Sequence, residues 1–462
     1  MGITADLEHQ DIKLSEDIPS YSTFQSMGIR LELLKGIYNC GFEKPSLIQQ
    51  KAIRPIIEGR DVIAQAQSGT GKTGAFSIGA LQNVSPELRK VQVLILSPTR
   101  ELANQIHRVV SSLADYLPIR CIACCGGRSN VGQMAQELSK GAHVLVGTPG
   151  RILDLLRQGS LRLDSLKSFV LDEADEMLNR GLREQLEEIY RRLPLCDGLH
   201  VSSSAQNAQV IIVSATMPTE NLELVHRFTR NPVQILVPRD ELSLSGLSQF
   251  YIDVGGEEWK FEALTDLFAS VCVPQTVVFV NTKRKTEWLC NQLRGECFAV
   301  AAAHGDLDQA ERDSVMERFR SGKSRVLVSS DIWARGIDVQ NVGLVVNYDV
   351  PQTPSDYLHR IGRSGRFGRR GLAVTFVAGS EDQKNLVNIA RFYQAVITPA
   401  PSNLEHMLID TDASSSAQSK IPLEVLSKGP DATLTTCVKN KLKKKKKKRQ
   451  KRRVNKLMVA KT

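Results

Sequence analysis

The chain has 462 residues, 42% of them hydrophobic, and a formal net charge of +10; that length suits two or three globular domains. No apolar stretch approaches the roughly 20 residues that span a membrane. The opening MGITADLEHQ has neither the basic start nor the apolar run of a signal peptide, so a soluble intracellular protein is expected.

The charge is concentrated at one end. Lys439–Thr462 holds fourteen Lys and Arg and no Asp or Glu, which leaves −4 (10 less 14) on Met1–Val438. A nucleic-acid site in the body must then be a local groove, not a general basic surface.

In chain order, residues 1–20 read as a flexible lead-in, and residues 21–237 as a first domain. Its short, nearly all-apolar runs VLILSPT, HVLVGTP, FVLDEAD and VIIVSAT alternate with amphipathic helical stretches. Cys196–Gln209, polar and Ser-rich, is expected as a surface loop. A linker over 238–247 leads to a second domain, 248–410, with the runs VVFVNT, FAVAAAHG, RVLVSSD, LVVNYD and LAVTFVAG. Strands this apolar are buried on both faces, so the fold class is α/β, with two mostly parallel sheets in series, each flanked by helices. Residues 411–462, Ser-rich and then Lys-rich, are expected to be a disordered basic tail.

Nine cysteines without framework spacing fit a reducing compartment. Cys121, Cys124 and Cys125 form the one cluster. A metal or redox role would need a second ligand pair nearby, and they read instead as small apolar strand residues.

Ala66–Thr73, AQSGTGKT, stands between the strand DVIAQ and an apolar helix. Gly69 and Gly71 let the backbone wrap a phosphate at the helix N-terminus. Lys72 is placed to reach the β- and γ-phosphates and Thr73 to coordinate Mg²⁺, although Ala66 stands where the general phosphate-loop pattern has its first Gly. Downstream, LDEAD ends a strand in carboxylates: Asp172 as the second Mg²⁺ contact and Glu173 to orient and activate the attacking water.

From these motifs onward the chain resembles the DEAD-box RNA helicase family over roughly residues 22 to 410. The resemblance rests on GFEKPSLIQQ, AQSGTGKT, SPTRELA, Gly126–Gly127, TPGR, DEAD, SAT, VFVNT, the Gln309–Arg312 pair, ARGID and HRIGRSGR, in that order. It implies two tandem RecA-like domains with an ATP cleft between them and an ATP-dependent, RNA-stimulated helicase. It assigns ATP and Mg²⁺ as cofactors, with Phe42 stacking on adenine, Gln49 on the adenine edge, Ser68, Gly69, Thr70, Gly71, Lys72 and Thr73 around the phosphates, and Asp338 near the ribose. Arg363 and Arg366 are expected to reach the γ-phosphate, the same Gly/Arg-rich stretch having a second reading as an RNA-binding loop. Ser214, Thr216 and His359 are expected to couple hydrolysis to domain movement.

The same resemblance gives an RNA track of Thr99, Arg100, Gly127, Thr148 and Arg151 in the first domain. Asn281, Thr282, Gly305, Gln309 and Arg312 continue it in the second. Such residues contact the backbone and carry no sequence information. Within the family, the spacing is close to the eukaryotic initiation factor 4A group, nearer its exon-junction and ribosome-biogenesis members. Three departures stand out: Ser330 in place of Thr, the longer Cys196–Gln209 segment, and the run beyond Leu408–Ile409. KNKLKKKKKKRQKRR in that run implies a nuclear, even nucleolar, location, with the cytoplasm as the alternative, and extra nonspecific RNA affinity. Two functions stay open: repeated strand separation with ATP turnover, or an ATP-gated RNA clamp that serves as an assembly platform. RNA and proteins that regulate domain closure are the expected partners of a monomeric core, with no membrane.

Overall fold

The computed structural model describes residues 13–14, 18–66, 69–126, 131–178, 180–194, 207–216, 219–236, 247–333, 342–365, 371–401 and 404. In the first domain the strands are β1 (Lys13–Leu14), β2 (Val62–Gln65), β3 (Val93–Leu96), β4 (Cys121–Cys124), β5 (Val144–Gly147), β6 (Ser168–Asp172), β7 (Gln209–Ser214) and β8 (Val233–Leu236). They lie in the order β1-β8-β2-β7-β6-β3-β5-β4, all parallel except β1, which pairs antiparallel with β8. The second domain has β9 (Leu247–Asp253), β10 (Gln275–Phe279), β11 (Val300–Ala303), β12 (Val326–Ser329), β13 (Val342–Asn347), β14 (Gly371–Val377) and β15 (Thr398–Pro399), in the order β11-β12-β10-β13-β14-β9-β15. These are the two RecA-like sheets.

The side-chain period of two explains why the strands are apolar throughout. Val93, Ile95 and Val170 enter one core cluster, with the helix Lys72–Gln82 and its neighbours. Leu94, Leu96, Phe169 and Leu171 enter another on the opposite face. In the second sheet Val278, Val328 and Val346 pack on one face and Val277, Leu327 and Val345 on the other. Each fully buried aliphatic side chain contributes about 1.5–3 kcal/mol by leaving water. Because the strands are parallel, the segments that follow β2, β3, β5, β6 and β7 all emerge at one edge, where open α/β sheets bind ligands.

Three expectations are corrected at segment ends. The lead-in is not wholly loose: Lys13–Leu14 joins the sheet edge and Ile18 is buried in the core, its carbonyl accepting a bond from Lys51 Nζ at 2.6 Å. Gln209 is not a loop residue but the buried start of β7. Its Nε2 donates to the Ile56 and Arg60 carbonyls at 3.1 and 2.5 Å, and its Oε1 accepts from Ser168 Oγ at 3.2 Å. Leu247, placed in the linker, opens β9 and is buried. The rest of the linker, residues 195–206 and the tail lie outside the described residues. Among the described residues, no helix is long and apolar enough to cross a membrane.

Candidate nucleotide site and nucleic-acid interface

The turn after β2 carries Gly69 (φ 87°) and Gly71 (φ 96°), left-handed conformations that glycine adopts without strain. Gly71 caps the helix Lys72–Gln82. A Cβ at Gly71 would lie 2.6 Å from Gln49 Nε2, so the loop backbone sits close against the helix Leu47–Ile57. Gln49 is buried. Its Nε2 donates to the Gly71 carbonyl at 3.1 Å, and its Oε1 accepts from Ser46 N–H at 2.9 Å. Phe42 is partly buried, with its ring 3.5 Å from the space a Gly74 Cβ would take. Thr70 and Thr73 are half-buried at the loop end and first helical turn, and Ser68 lies outside the described residues.

Lys72 is only 7% exposed, and its Nζ donates to the Ala66 carbonyl at 2.6 Å. Burial pulls its pKa below the ordinary lysine value, while Glu173, Asp172 and Asp175 act in the opposite sense. Asp172 ends β6, Glu173 follows it as the cap of the helix Ala174–Met177, and both are buried. Burial, and next the neighbouring Glu173, push the Asp172 carboxyl up to about 7, against Lys72. Glu173 takes a left-handed backbone (φ 52°), unusual for a residue with a side chain. Its N–H donates to Asp172 Oδ1 at 3.0 Å, and its own Oε2 is buried without a hydrogen-bond partner among the described residues.

Asp175, two residues on, joins the two domains. Its Oδ1 accepts from Ser214 Oγ at 2.8 Å, and its Oδ2 from Thr216 Oγ1 at 2.5 Å and Ser355 Oγ at 3.3 Å. His359 Nε2 lies 3.1 Å from the same Oδ2. Ser355 and His359 sit on the helix Pro354–Ile361 of the second domain, just before Arg363. Glu173, Asp175 and His359 each bring a ligand-type atom within 4.8 Å of the others. Both Asp175 oxygens are already committed to these bonds, so the cluster is a hydrogen-bond hub. Arg363 is 3% exposed, its Nε donates to the His359 carbonyl at 3.1 Å, and its charge opposes that of Lys72. Arg366 and Asp338 lie outside the described residues.

The residues expected along RNA divide by what already holds them. Thr99 and Thr282 cap helices, accepting from Leu102 N–H at 3.3 Å and Lys285 N–H at 3.2 Å. Thr148 precedes the helix Pro149–Arg157 and makes no side-chain cap, and Arg151 sits half-buried in its first turn. Arg100 Nη1 donates to Gln309 Oε1 at 3.3 Å, and Arg312 Nη1 is 3.5 Å from Glu101 Oε1, so this row too crosses between domains. Arg312 Nη2 also donates to the Gly305 carbonyl at 2.7 Å. Asn281 is tied inward: its Nδ2 donates to the Val350 carbonyl at 3.0 Å and its Oδ1 accepts from Arg360 Nη2 at 2.7 Å. Gly127 lies outside the described residues.

Sequence reasoning missed Asp175, Ser355 and Arg360 as organising residues. Arg360 is fully buried; it forks onto Asp331 at 2.5 and 2.8 Å and donates to the Asp349 carbonyl at 2.8 Å. Only the residue string HRIGR pointed near it. The cysteines behave as small core residues: burial pushes Cys121 and Cys124 up to about 12 and Cys125 up to about 11, far from thiolate chemistry.

Buried charges of both signs, completed only where one RecA-like sheet meets the other, define the class of two-domain, nucleotide-driven motors. The family described as DEAD/DEAH box helicase matches residues 46–225, and the helicase conserved C-terminal domain matches 259–368. The "ATP-dependent RNA helicase fal1" of Schizosaccharomyces pombe is 50% identical over 402 residues, covering 87% of this chain and 99% of that protein. "Eukaryotic initiation factor 4A-9" of Nicotiana tabacum is 52% identical over 401 residues, covering 87% and 94%. Among solved structures, S. cerevisiae Dbp5 bound to RNA and ADP BeF3 superposes with a TM-score of 0.74 at 35% identity, covering 82% of this chain and 95% of that one. The chain belongs to the DEAD-box family, in the group of initiation factor 4A and fal1: it is an ATP-dependent RNA helicase, an ATPase that binds RNA.

Proposed function

We propose that the cleft binds Mg²⁺-ATP on the first domain and hydrolyses it only when the second domain closes with RNA in place. One observation carries this reading. Buried Lys72, Asp172 and Glu173 of the first domain meet the second through Asp175, which accepts from Ser355 Oγ and lies 3.1 Å from His359 Nε2, four residues before the buried Arg363. Glu173 Oε2, without a hydrogen-bond partner among the described residues, fits a buried water or cation contact.

In this reading the N–H groups of the Gly69–Lys72 turn and the Lys72 ammonium cradle the phosphates, with Ser68 and Thr70 beside them. Thr73 and Asp172 hold Mg²⁺, which when bound supplies positive charge to the transferring phosphoryl group. Phe42 and Gln49 face adenine, and Asp338 the ribose. Glu173 orients and deprotonates the attacking water, and Arg363 and Arg366 stabilise the charge that develops opposite it. Asp175, with Ser214, Thr216 and His359, makes this arrangement conditional on closure.

RNA lies along Thr99, Arg100, Gly127, Thr148 and Arg151, and then Asn281, Thr282, Gly305, Gln309 and Arg312. Contacts of that kind grip one backbone without reading bases. The cross-domain pairs Arg100–Gln309 and Glu101–Arg312 support a track shared by both domains. The TM-score is 0.74 against Dbp5 bound to RNA and ADP BeF3 and 0.57 against the form with Nup159, Gle1, IP6 and ADP. That trend supports a closed, RNA-competent arrangement, and control of closure by partner proteins. ATP and RNA then bind cooperatively, and gripping a single strand separates short duplexes locally. The Lys439–Arg453 run supports a nuclear, even nucleolar, location.

The test is RNA binding with a non-hydrolysable ATP analogue. Wild type should bind single-stranded RNA only with the analogue, and Arg363→Ala should lose that dependence. Analogue-independent RNA binding by wild type would sink the reading.

A further inference from the structure

Outside the nucleotide and RNA residues, the second domain carries an ion network, centred on the buried Lys260 and Asp349, that the mechanism above does not use. Lys260, 2% exposed at the start of the helix Lys260–Ser270, places its Nζ 2.9 Å from Asp349 Oδ1, 2.7 Å from Glu257 Oε2 and 3.8 Å from Asp382 Oδ2. Lys285, on the helix Lys283–Gly295, lies 2.6 Å from the same Asp349 oxygen and pairs with Glu257 as well. Both ammonium groups also stand 5.6 Å from the centre of the Tyr348 ring.

A buried and a half-buried cation held by one buried carboxylate over one aromatic ring is a costly arrangement for a domain that needs only a core, since apolar packing of the same volume is often as stable. Its placement explains it better. The other Asp349 oxygen accepts from Asn281 N–H at 3.0 Å, and the Asp349 carbonyl accepts from Arg360 Nη1. Asp349 therefore touches both the Asn281–Thr282 turn and the residue next to His359 on the segment that carries Arg363. Lys285 follows Thr282 by three residues, and its N–H caps onto the Thr282 hydroxyl, so its backbone belongs to that turn and its side chain to the network.

We propose that Lys260, Lys285, Glu257 and Asp349 form a positioning network that couples RNA contact at the Asn281–Thr282 turn to placement of Arg363 at the nucleotide. The inference rests on the functional reading above, but concerns residues that touch neither ligand. When RNA orders the turn, Lys285 and Asn281 fix Asp349, and Asp349 fixes Arg360 and the helix end beside it. Without RNA the chain is intact but slack, and the nucleotide is held mainly by the first domain.

The full-length protein is titrated with a fluorescent non-hydrolysable ATP analogue, with and without saturating single-stranded oligouridine. The readout is the ratio of the two dissociation constants, which for couplings of this type is roughly 5–150-fold. Lys285→Met should reduce that ratio by about 5-fold while leaving the RNA-free dissociation constant within about 2-fold of wild type, and Lys285→Arg should restore it. Asp349→Asn, if it melts as a folded protein, should reduce the ratio further. A purely structural role would shift both constants together, and a direct Lys285–RNA contact would weaken RNA binding but leave the ratio at saturation unchanged; either result overturns the proposal. A wild-type ratio of one would overturn the functional reading along with it, whereas a normal wild-type ratio unchanged in Lys285→Met overturns the network alone.

Discussion

His359 Nε2 and Asp175 Oδ2 stand 3.1 Å apart although 184 positions separate them, one in each RecA-like domain, and both are buried. The same carboxylate is held by Ser214, Thr216 and Ser355. Removing one partner from such a buried set leaves the others unsatisfied, at about 1–3 kcal/mol per group. Asp175→Asn should therefore reduce RNA-stimulated turnover by roughly 10–100-fold, the rate equivalent of that loss, while the thermal midpoint moves by only a few degrees. Steady-state hydrolysis beside a melting curve checks it; equal turnover in the variant would refute the hub.

Gly71→Ala tests the phosphate loop. The added methyl meets Gln49 Nε2 at 2.6 Å and requires φ near 96° from a residue with a side chain, a strain of about 1–3 kcal/mol. Affinity for ATP should fall by roughly 10-fold or more, measured by titration with a fluorescent ATP analogue. Gly159→Ala, also at positive φ but in open space, should leave ATP affinity unchanged.

Much of this was legible because the chemistry sits in contiguous strings. The phosphate loop must join a strand to a helix, and LDEAD must end a strand, so both could be placed without coordinates. The apolar runs announced the parallel strands for the same local reason. What escaped depends on apposition. β1 is two residues long, too short to show a period, and Gln209 looked like loop because its amide is satisfied by carbonyls about 150 residues away. Asp175 and Ser355 looked like ordinary polar residues until two sheets brought them together, and Asn281 looked free to face RNA though its side chain is bonded inward.

Acid should weaken the second domain through Asp349. Burial pushes its carboxyl up, but Lys260, Lys285 and the Asn281 N–H outweigh burial and hold it below the ordinary aspartate value. A carboxylate depressed in the folded state stabilises above its unfolded pKa of about 4 and loses that contribution as pH falls through the folded value. Denaturant midpoints for wild type and Asp349→Asn should differ most at neutral pH and converge below about pH 4. A gap that widens on acidification would contradict the sign.

Thiol labelling separates the cysteines. Cys124 and Cys290 are buried, and burial pushes each up to about 12, so neither forms thiolate at pH 8. Cys272 and Cys297 are exposed. Mass spectrometry after brief alkylation at pH 8 should find Cys272 and Cys297 modified and Cys124 and Cys290 intact until denaturant is added. Rapid modification of Cys124 in the folded protein would revive a redox role for the Cys121–Cys125 cluster.

The central claim, RNA-gated ATP hydrolysis in a cleft with Glu173 as its base, is tested most directly by steady-state ATP turnover of wild type and Glu173→Gln, each with and without single-stranded RNA. The account predicts strong stimulation of wild type by RNA and a loss of about 10²–10⁴-fold in the variant, with ATP-dependent RNA binding retained. Wild-type turnover indifferent to RNA, or a variant as fast as wild type, would contradict it. Negligible wild-type turnover alongside stable ATP-dependent RNA binding would make the protein a clamp.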